Sequence, residues 1–214
     1  MERITDAFFW PTRDPRWLVK LLVIAIILLI PIVGAINGLG WMLASLDRLR
    51  AGEEHLAPAN LRHLARGWRL FVVQVGYGLL IALIASAIYG PAVLLAIHEG
   101  RSEPNAGLIV LIILLDLVAF GIVSLGALAF NFGTPAMVLV TDQGGVRAGL
   151  NLRAIWRRSR INLINTLIAG LMLIAAGFVG SLGLIVCGIG VLFTSAYALA
   201  MQAWIIRSFE LGRS

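Results

Sequence analysis

The sequence has little of what most protein chemistry is built from. Among 214 residues there are one cysteine and three histidines, and only 13% of the chain is charged. Cys187 cannot close an internal disulfide, and no Cys or His cluster exists to hold zinc. It lies in an apolar run and reads as a small packing residue. His55, His63 and His98 follow no metal-ligand spacing. Nothing resembles a nucleophile elbow or a paired-carboxylate hydrolase site. The GLG at 38–40 lies inside an apolar run with no strand or lysine around it, so it is no phosphate loop. These absences place an intramembrane enzyme last among the function classes. The chain is read as non-enzymatic, with no cofactor and no metal.

Charge is scarce because apolar residues are abundant. The chain is 60% hydrophobic with a mean hydropathy of +0.94, whereas a soluble domain is about half apolar and about a quarter charged. So much apolar surface cannot all be buried within one chain of this length, and much of it must face lipid. The N-terminus MERITDAFFWPTRDPRW is polar and aromatic, and no cleavable signal peptide is expected after it. The net charge of +6 would suggest nucleic acid in a soluble protein. Here the arginines flank apolar segments, so membrane lipid is the expected partner and nucleic acid is not.

A membrane span takes about 20 apolar residues. Four segments qualify, at 70–97, 106–130, 162–182 and 184–206. The polar turn HEGRSEPNAG (98–107) joins the first two and the glycine-rich GFVGSLG (177–183) the second two, so each pair reads as a helical hairpin. Residues 18–46 are long for one span and short for two. Pro31 kinks or breaks a helix there, and Gly34, Gly38 and Gly40 follow. Either this is one long kinked helix or a short, re-entrant hairpin that leaves on the face it entered.

Arginine placement favours the hairpin. Basic residues collect at 1–20 (Arg3, Arg13, Arg16, Lys20), at 47–69 (Arg48, Arg50, Arg62, Arg66, Arg69), at 142–160 (Arg147, Arg153, Arg157, Arg158, Arg160) and in the tail (Arg207, Arg213). The positive-inside rule puts all four stretches, and both termini, in the cytoplasm. That requires 18–46 to return to its own side. Trp10, Trp17, Trp41, Trp68, Trp156 and Trp204 all fall near those ends, where indoles settle at headgroup level.

LRHLARGWRL (61–70) and LRAIWRRSRI (152–161) share one pattern, L-R-x-[LI]-x-R-x-x-R-[LI], and each runs into a hairpin, as internal repeats of membrane proteins do. In both copies apolar residues (Leu61, Leu64, Trp68; Leu152, Ile155, Trp156) take one helical face. Arg62, Arg66 and Arg69, or Arg153, Arg157 and Arg160, take another. Such helices lie in the interface with arginines among lipid phosphates, either as contacts to anionic lipid or as topology anchors at helix entries. The expected architecture is therefore an all-α integral membrane protein, a single membrane domain over 1–214. Residues 1–52 form an interfacial segment and short hairpin, 53–141 an interfacial helix and first long hairpin, and 142–214 an arginine-rich helix and second long hairpin.

Two features inside the spans carry possible chemistry. Gly78, Ala82, Ser86 and Gly90, spaced four apart, make a small-residue stripe suited to close helix packing. Asp116 sits in LIILLDLVAF (111–120), about ten residues from the outer turn and so near mid-membrane by the helix rise of about 1.5 Å per residue. A charge there costs at least about 2.5–3.5 kcal/mol. Thr194, Ser195 and Tyr197 fall at the same depth. Either a protonated Asp116 ties its helix to those hydroxyls, or it is an ion or proton site of a small transporter or channel.

The opening pattern also resembles a known family. Phe8, Trp10, Pro11, Asp14, Pro15, Trp17 and Lys20 match F-x-Y-P-x-x-D-P-x-W-x-x-K. Pro31, Ile32, Val33 and Gly34 match P-I-V-G, and Cys187, Ile189, Gly190, Thr194 and Tyr197 resemble a closing C-x-G…T-x-x-Y. Together they resemble the prokaryotic domain-of-unknown-function 4013 family, and more distantly the non-catalytic membrane domains attached to some glycerophosphodiesterases. Two departures stand out: Ala196 replaces a proline often found before the tyrosine, and the stretch around Ala203 and Trp204 replaces a His-containing pattern. The resemblance implies a bacterial or archaeal integral membrane protein, adds no activity, and leaves lipids, other membrane proteins or a second copy as the expected partners.

Overall fold

The structure is a computed structural model, and it describes residues 4–99, 106–185 and 190–212. Cys187, Ile189, Arg3, Arg101 and Arg213 lie outside the described residues, as does most of the polar turn at 98–107. Among the described residues all regular structure is helical: α1 (Trp17–Leu28), α2 (Val33–Arg50), α3 (Leu64–Glu99), α4 (Ala106–Gly149), α5 (Leu152–Arg160), α6 (Leu163–Leu182) and α7 (Gly190–Leu211). Short 3-10 turns precede α1 and α3. Two compact units result, one of Met1–Val73 with Asn131–Ser214, the other of Gln74–Phe130.

Residues 18–46 reverse direction. Helix α1 stops at Leu28, Pro31 falls in the turn, and Ile32 takes a left-handed backbone (φ 64°) before α2 begins. A proline and a β-branched residue forced to positive φ cannot continue a helix. The two helices then run back to back. Asp14, just before α1, accepts a hydrogen bond from the Leu56 backbone N–H (2.9 Å), beyond the end of α2. Lys20 donates to both Asp14 (2.6 Å) and the Leu56 carbonyl (2.6 Å). Gly34, Gly38 and Gly40, which follow Pro31, lie inside α2 and are buried. A Cβ on Gly34 would overlap the Ile27 carbonyl of α1, and one on Gly40 the His63 carbonyl. Gly67 of α3 sits in the same way against the Ile36 carbonyl. Backbones pass at contact here, so only glycine fits.

Helix α7 forms the centre of the first unit and packs against α1, α2 and α6. Ala196, Ala198, Ala200, Ala203 and Phe209 are buried along it. Its ends are pinned to α6: Thr194 donates to the Gly180 carbonyl (2.6 Å) and Asn165 to the Phe209 carbonyl (2.9 Å). Helix α7 covers most of the segment 184–206 expected as a fourth span, and its neighbours bury much of its surface. Three helical stretches among the described residues are long and apolar enough to cross a membrane, Leu61–Leu95, Ala106–Gly149 and Leu163–Leu182. The turn expected at 177–183 begins later than expected. Helix continues to Leu182, because Gly180 packs on Ala198 instead of bending.

Helix α4 runs past the expected end at 130. Pro135 lies inside it, and the axis breaks only at Gly145 (φ 73°). Three of the six tryptophans are enclosed by the protein itself. Trp10, Trp41 and Trp204 are almost fully buried. Trp10 stacks on Trp204 (5.7 Å) and donates to the Ala200 carbonyl; Trp41 donates to the Ala57 carbonyl. A buried indole N–H needs such a partner.

In the second unit Tyr77 and Phe130 meet at 6.2 Å and Ala119 is buried. Most other side chains there are exposed or half-buried, Leu79, Leu83, Leu117 and Leu125 among them.

Candidate functional site

The first unit gathers its charges where α2 and α7 end, α3 begins and α4 nears its close. Helix α2 brings Asp47 and Arg50, one turn apart on one face. Asp142 accepts from Arg50 Nη1 at 2.9 Å and from Arg66 Nη2 at 2.7 Å. Glu210 takes Arg50 through both oxygens, at 3.0 and 3.1 Å, the fork-on-fork geometry that makes such pairs strong. Asp47 pairs with Arg66 and, at 3.1 Å, with Arg50. Arg207 adds a contact to Glu210 at 3.2 Å. The Asp142 side chain is only 8% exposed, and both guanidiniums contact it directly.

Burial pushes the Asp47 carboxyl up, but hydrogen bonds and charge from Arg66 and Arg50 outweigh it and hold it below the ordinary carboxylate range. Burial disfavours the charged Arg50, yet Glu210 and Asp142 overcome this and raise it. Asp14 behaves like Asp47: burial raises it, while Lys20 and the backbone N–H groups of Arg16 and Leu56 bring it down.

Helix α5 is built differently. Asn151 caps it by accepting from the Ala154 N–H at 3.2 Å. Ile155 and Ser159 are buried, whereas Leu152, Arg153, Trp156, Arg157 and Arg160 are exposed. The Arg160 guanidinium lies 5.5 Å from the Trp156 ring. Apolar and cationic side chains thus share one outward surface.

The two repeat copies part company here. The second forms the separate helix α5, but the first runs straight into α3. Arg66, a candidate lipid contact, joins the carboxylate cluster, where Asp47 and Asp142 engage it. Arg62 and Arg69 stay exposed. Arg158, between the exposed arginines, donates to Gln143 at 2.7 Å.

The intramembrane polar residues are placed as follows. Asp116 lies in the second unit on an exposed position of α4. Thr194 and Tyr197 donate within the first unit, to the Gly180 and Phe8 carbonyls, and Ser195 is half-buried. Among the described residues nothing packs on the stripe Gly78, Ala82, Ser86, Gly90 at its two glycines. A Cβ built on Gly78 or Gly90 meets nothing within 4 Å, and Ala82 and Ser86 are exposed. Among the described residues no group of His, Cys, Asp and Glu could hold a metal ion.

Sequence reasoning missed Asp47, Arg50, Asp142 and Glu210. A signal existed: each acid falls just past an apolar stretch, on the side to which every basic stretch was assigned.

An all-helical chain with three stretches fit to cross a membrane belongs to the class of apolar helical proteins. Residues 23–189 match the family described as Protein of unknown function (DUF4013), and the chain belongs to that family. No curated protein and no solved structure matches it.

Proposed function

We propose that the protein is a multi-pass membrane protein of a prokaryotic cell membrane, with both termini cytoplasmic, that acts without catalysis by binding anionic lipid. The observation that carries this is the surface of α5, where Leu152 and Trp156 lie exposed beside Arg153, Arg157 and Arg160. An interfacial helix buries such an apolar face among acyl chains and sets its arginines against phosphates. Each cation near an anionic surface contributes about 1 kcal/mol. Other membrane proteins or a second copy are further partners compatible with the exposed second unit.

The test is binding of the purified chain to bilayers with and without phosphatidylglycerol, comparing wild type with Arg153→Gln/Arg157→Gln/Arg160→Gln. The reading expects a preference for the anionic bilayer that the triple variant loses. Equal preference in both proteins sinks it. The position of Asp116 within a spanning-length helix favours a second reading, an ion or proton pathway. Proton flux into proteoliposomes that Asp116→Asn abolishes would establish it, and absence of flux in the wild type would remove it.

A further inference from the structure

A cavity of about 420 Å³ opens beside the carboxylate cluster, lined by Leu43, Ala65, Arg66, Arg69, Leu70, Thr141 and Asp142. Its size falls in the range of ligand pockets, about 300–1,000 Å³. Its wall is divided. Leu43, Ala65 and Leu70 are apolar, and the rest are polar.

The charges around it are unequal. Asp47, Asp142 and Glu210 are matched by Arg50, Arg66 and Arg207, three against three, each carboxylate in direct contact with a guanidinium. Asp142 has both oxygens engaged, and Thr141 already donates to the Met137 carbonyl. Arg69 stands outside this balance. It lines the cavity, is exposed, and has no hydrogen-bond or ion-pair partner among the described residues. The cavity therefore presents one unpaired cation with an unengaged planar fork of N–H donors, which suits phosphate oxygens.

Sequence position adds the level. Arg69 is the last charge before the uncharged run 70–97, and Asp142 is the first charge after the uncharged run 117–141. If those runs cross the bilayer, the cavity lies at headgroup height. Trp68, next to Arg69, is exposed and stacks on Phe71 at 6.2 Å, the placement of an interfacial indole.

We propose that this cavity seats a phosphate group bearing a single negative charge, the phosphodiester of an anionic glycerophospholipid, with Arg69 as its principal ligand. This rests on the membrane reading above but not on α5. The site differs from that surface in kind: it is a cavity for one headgroup, whereas α5 meets many.

The test uses the full chain in detergent, titrated with phosphatidylglycerol, phosphatidylcholine or inorganic phosphate, and bound molecules counted by native mass spectrometry. Wild type is expected to bind one phosphatidylglycerol more tightly than the rest. Arg69→Gln should weaken that first binding about tenfold, and Arg153→Gln/Arg157→Gln/Arg160→Gln should leave it intact. Equal first binding by wild type and Arg69→Gln overturns the proposal. Displacement of the lipid by inorganic phosphate at equal concentration overturns the lipid as the source and makes the site one for a free anion. Arg69 has no partner to lose, so Arg69→Gln should unfold at the wild-type temperature. A carbonate wash of membranes separates the two failures. Release of the chain defeats the membrane reading, whereas retention with unchanged Arg69→Gln binding defeats the cavity alone.

Discussion

Gly67 and Gly78 lie on the same helix, three turns apart, in different units. At Gly67 a Cβ would overlap the Ile36 carbonyl, and at Gly78 it would meet nothing. The contrast extends through both units. The first buries Trp10, Trp41 and Phe209 and closes its polar end with paired arginines and carboxylates. The second leaves its leucines and glycines facing outward. The same residue types therefore do opposite work. In the first unit, small side chains let backbones meet and charges bind one another. In the second, the apolar surface is left uncovered by the rest of its unit, on helices long and apolar enough to cross a membrane.

The strongest way to break that comparison is to add one carbon to each glycine. Gly67→Ala should lower the unfolding temperature in detergent sharply, by the equivalent of about 3 kcal/mol, because the obstruction is backbone and cannot rotate away. Gly78→Ala should leave stability unchanged or raise it by up to about 1 kcal/mol through helix propensity. Equal effects at both positions would erase the distinction between the units.

Removing one carboxylate from the cluster comes next. Asp142→Asn leaves Arg50 and Arg66 short of a shared partner and should cost about 2–4 kcal/mol by thermal unfolding. Asp116→Asn, in the second unit, should cost less than about 1 kcal/mol, since exposed substitutions away from such networks rarely cost more. A larger loss at Asp116 would show that its carboxyl is bound by a partner.

Acid should act through the same groups. Asp14 and Asp47 lie below their ordinary value of 3.8 in the folded chain. Their stabilisation is complete above that value and is lost as pH falls through the lower folded-state values. Unfolding temperature should thus hold from neutral pH down to about 5 on account of these groups and drop below about pH 4. Asp14→Asn should reduce that drop. An unchanged acid profile would mean the Asp14–Lys20 pair adds nothing.

How much of this was legible in the sequence depended on what kind of signal each feature leaves. Long apolar runs announced α3, α4 and α6, because a helix facing lipid is apolar all round. The reversal at 29–32 was legible through Pro31 and the charge distribution, although α2 required more. Sequence alone does not say that the Ile27 and His63 carbonyls lie against its glycines. The packing of α7 was hidden for a related reason. It is apolar enough to resemble a span, and only its run of alanines at 196, 198, 200 and 203 marks a helix with protein packed on several sides. The stacking of Trp10 on Trp204 left no mark either, since the two are far apart in sequence. The carboxylate cluster was hidden because its members come from four helices. Each acid alone resembles an ordinary solvated end, and only the fold brings Asp47, Asp142 and Glu210 to two shared arginines.

The central claim is that the chain lies in a membrane with its basic stretches on one face. Replacing Glu54, Asn151 and Gly212 singly with cysteine, in a background with Cys187→Ala, and labelling with a membrane-impermeant maleimide tests this most directly. The account predicts that all three label in inside-out vesicles and none in intact cells. Labelling of Glu54 and Asn151 from opposite sides would contradict it, because α3 and α4, the two helices between them, would then not bring the chain back to the face it left.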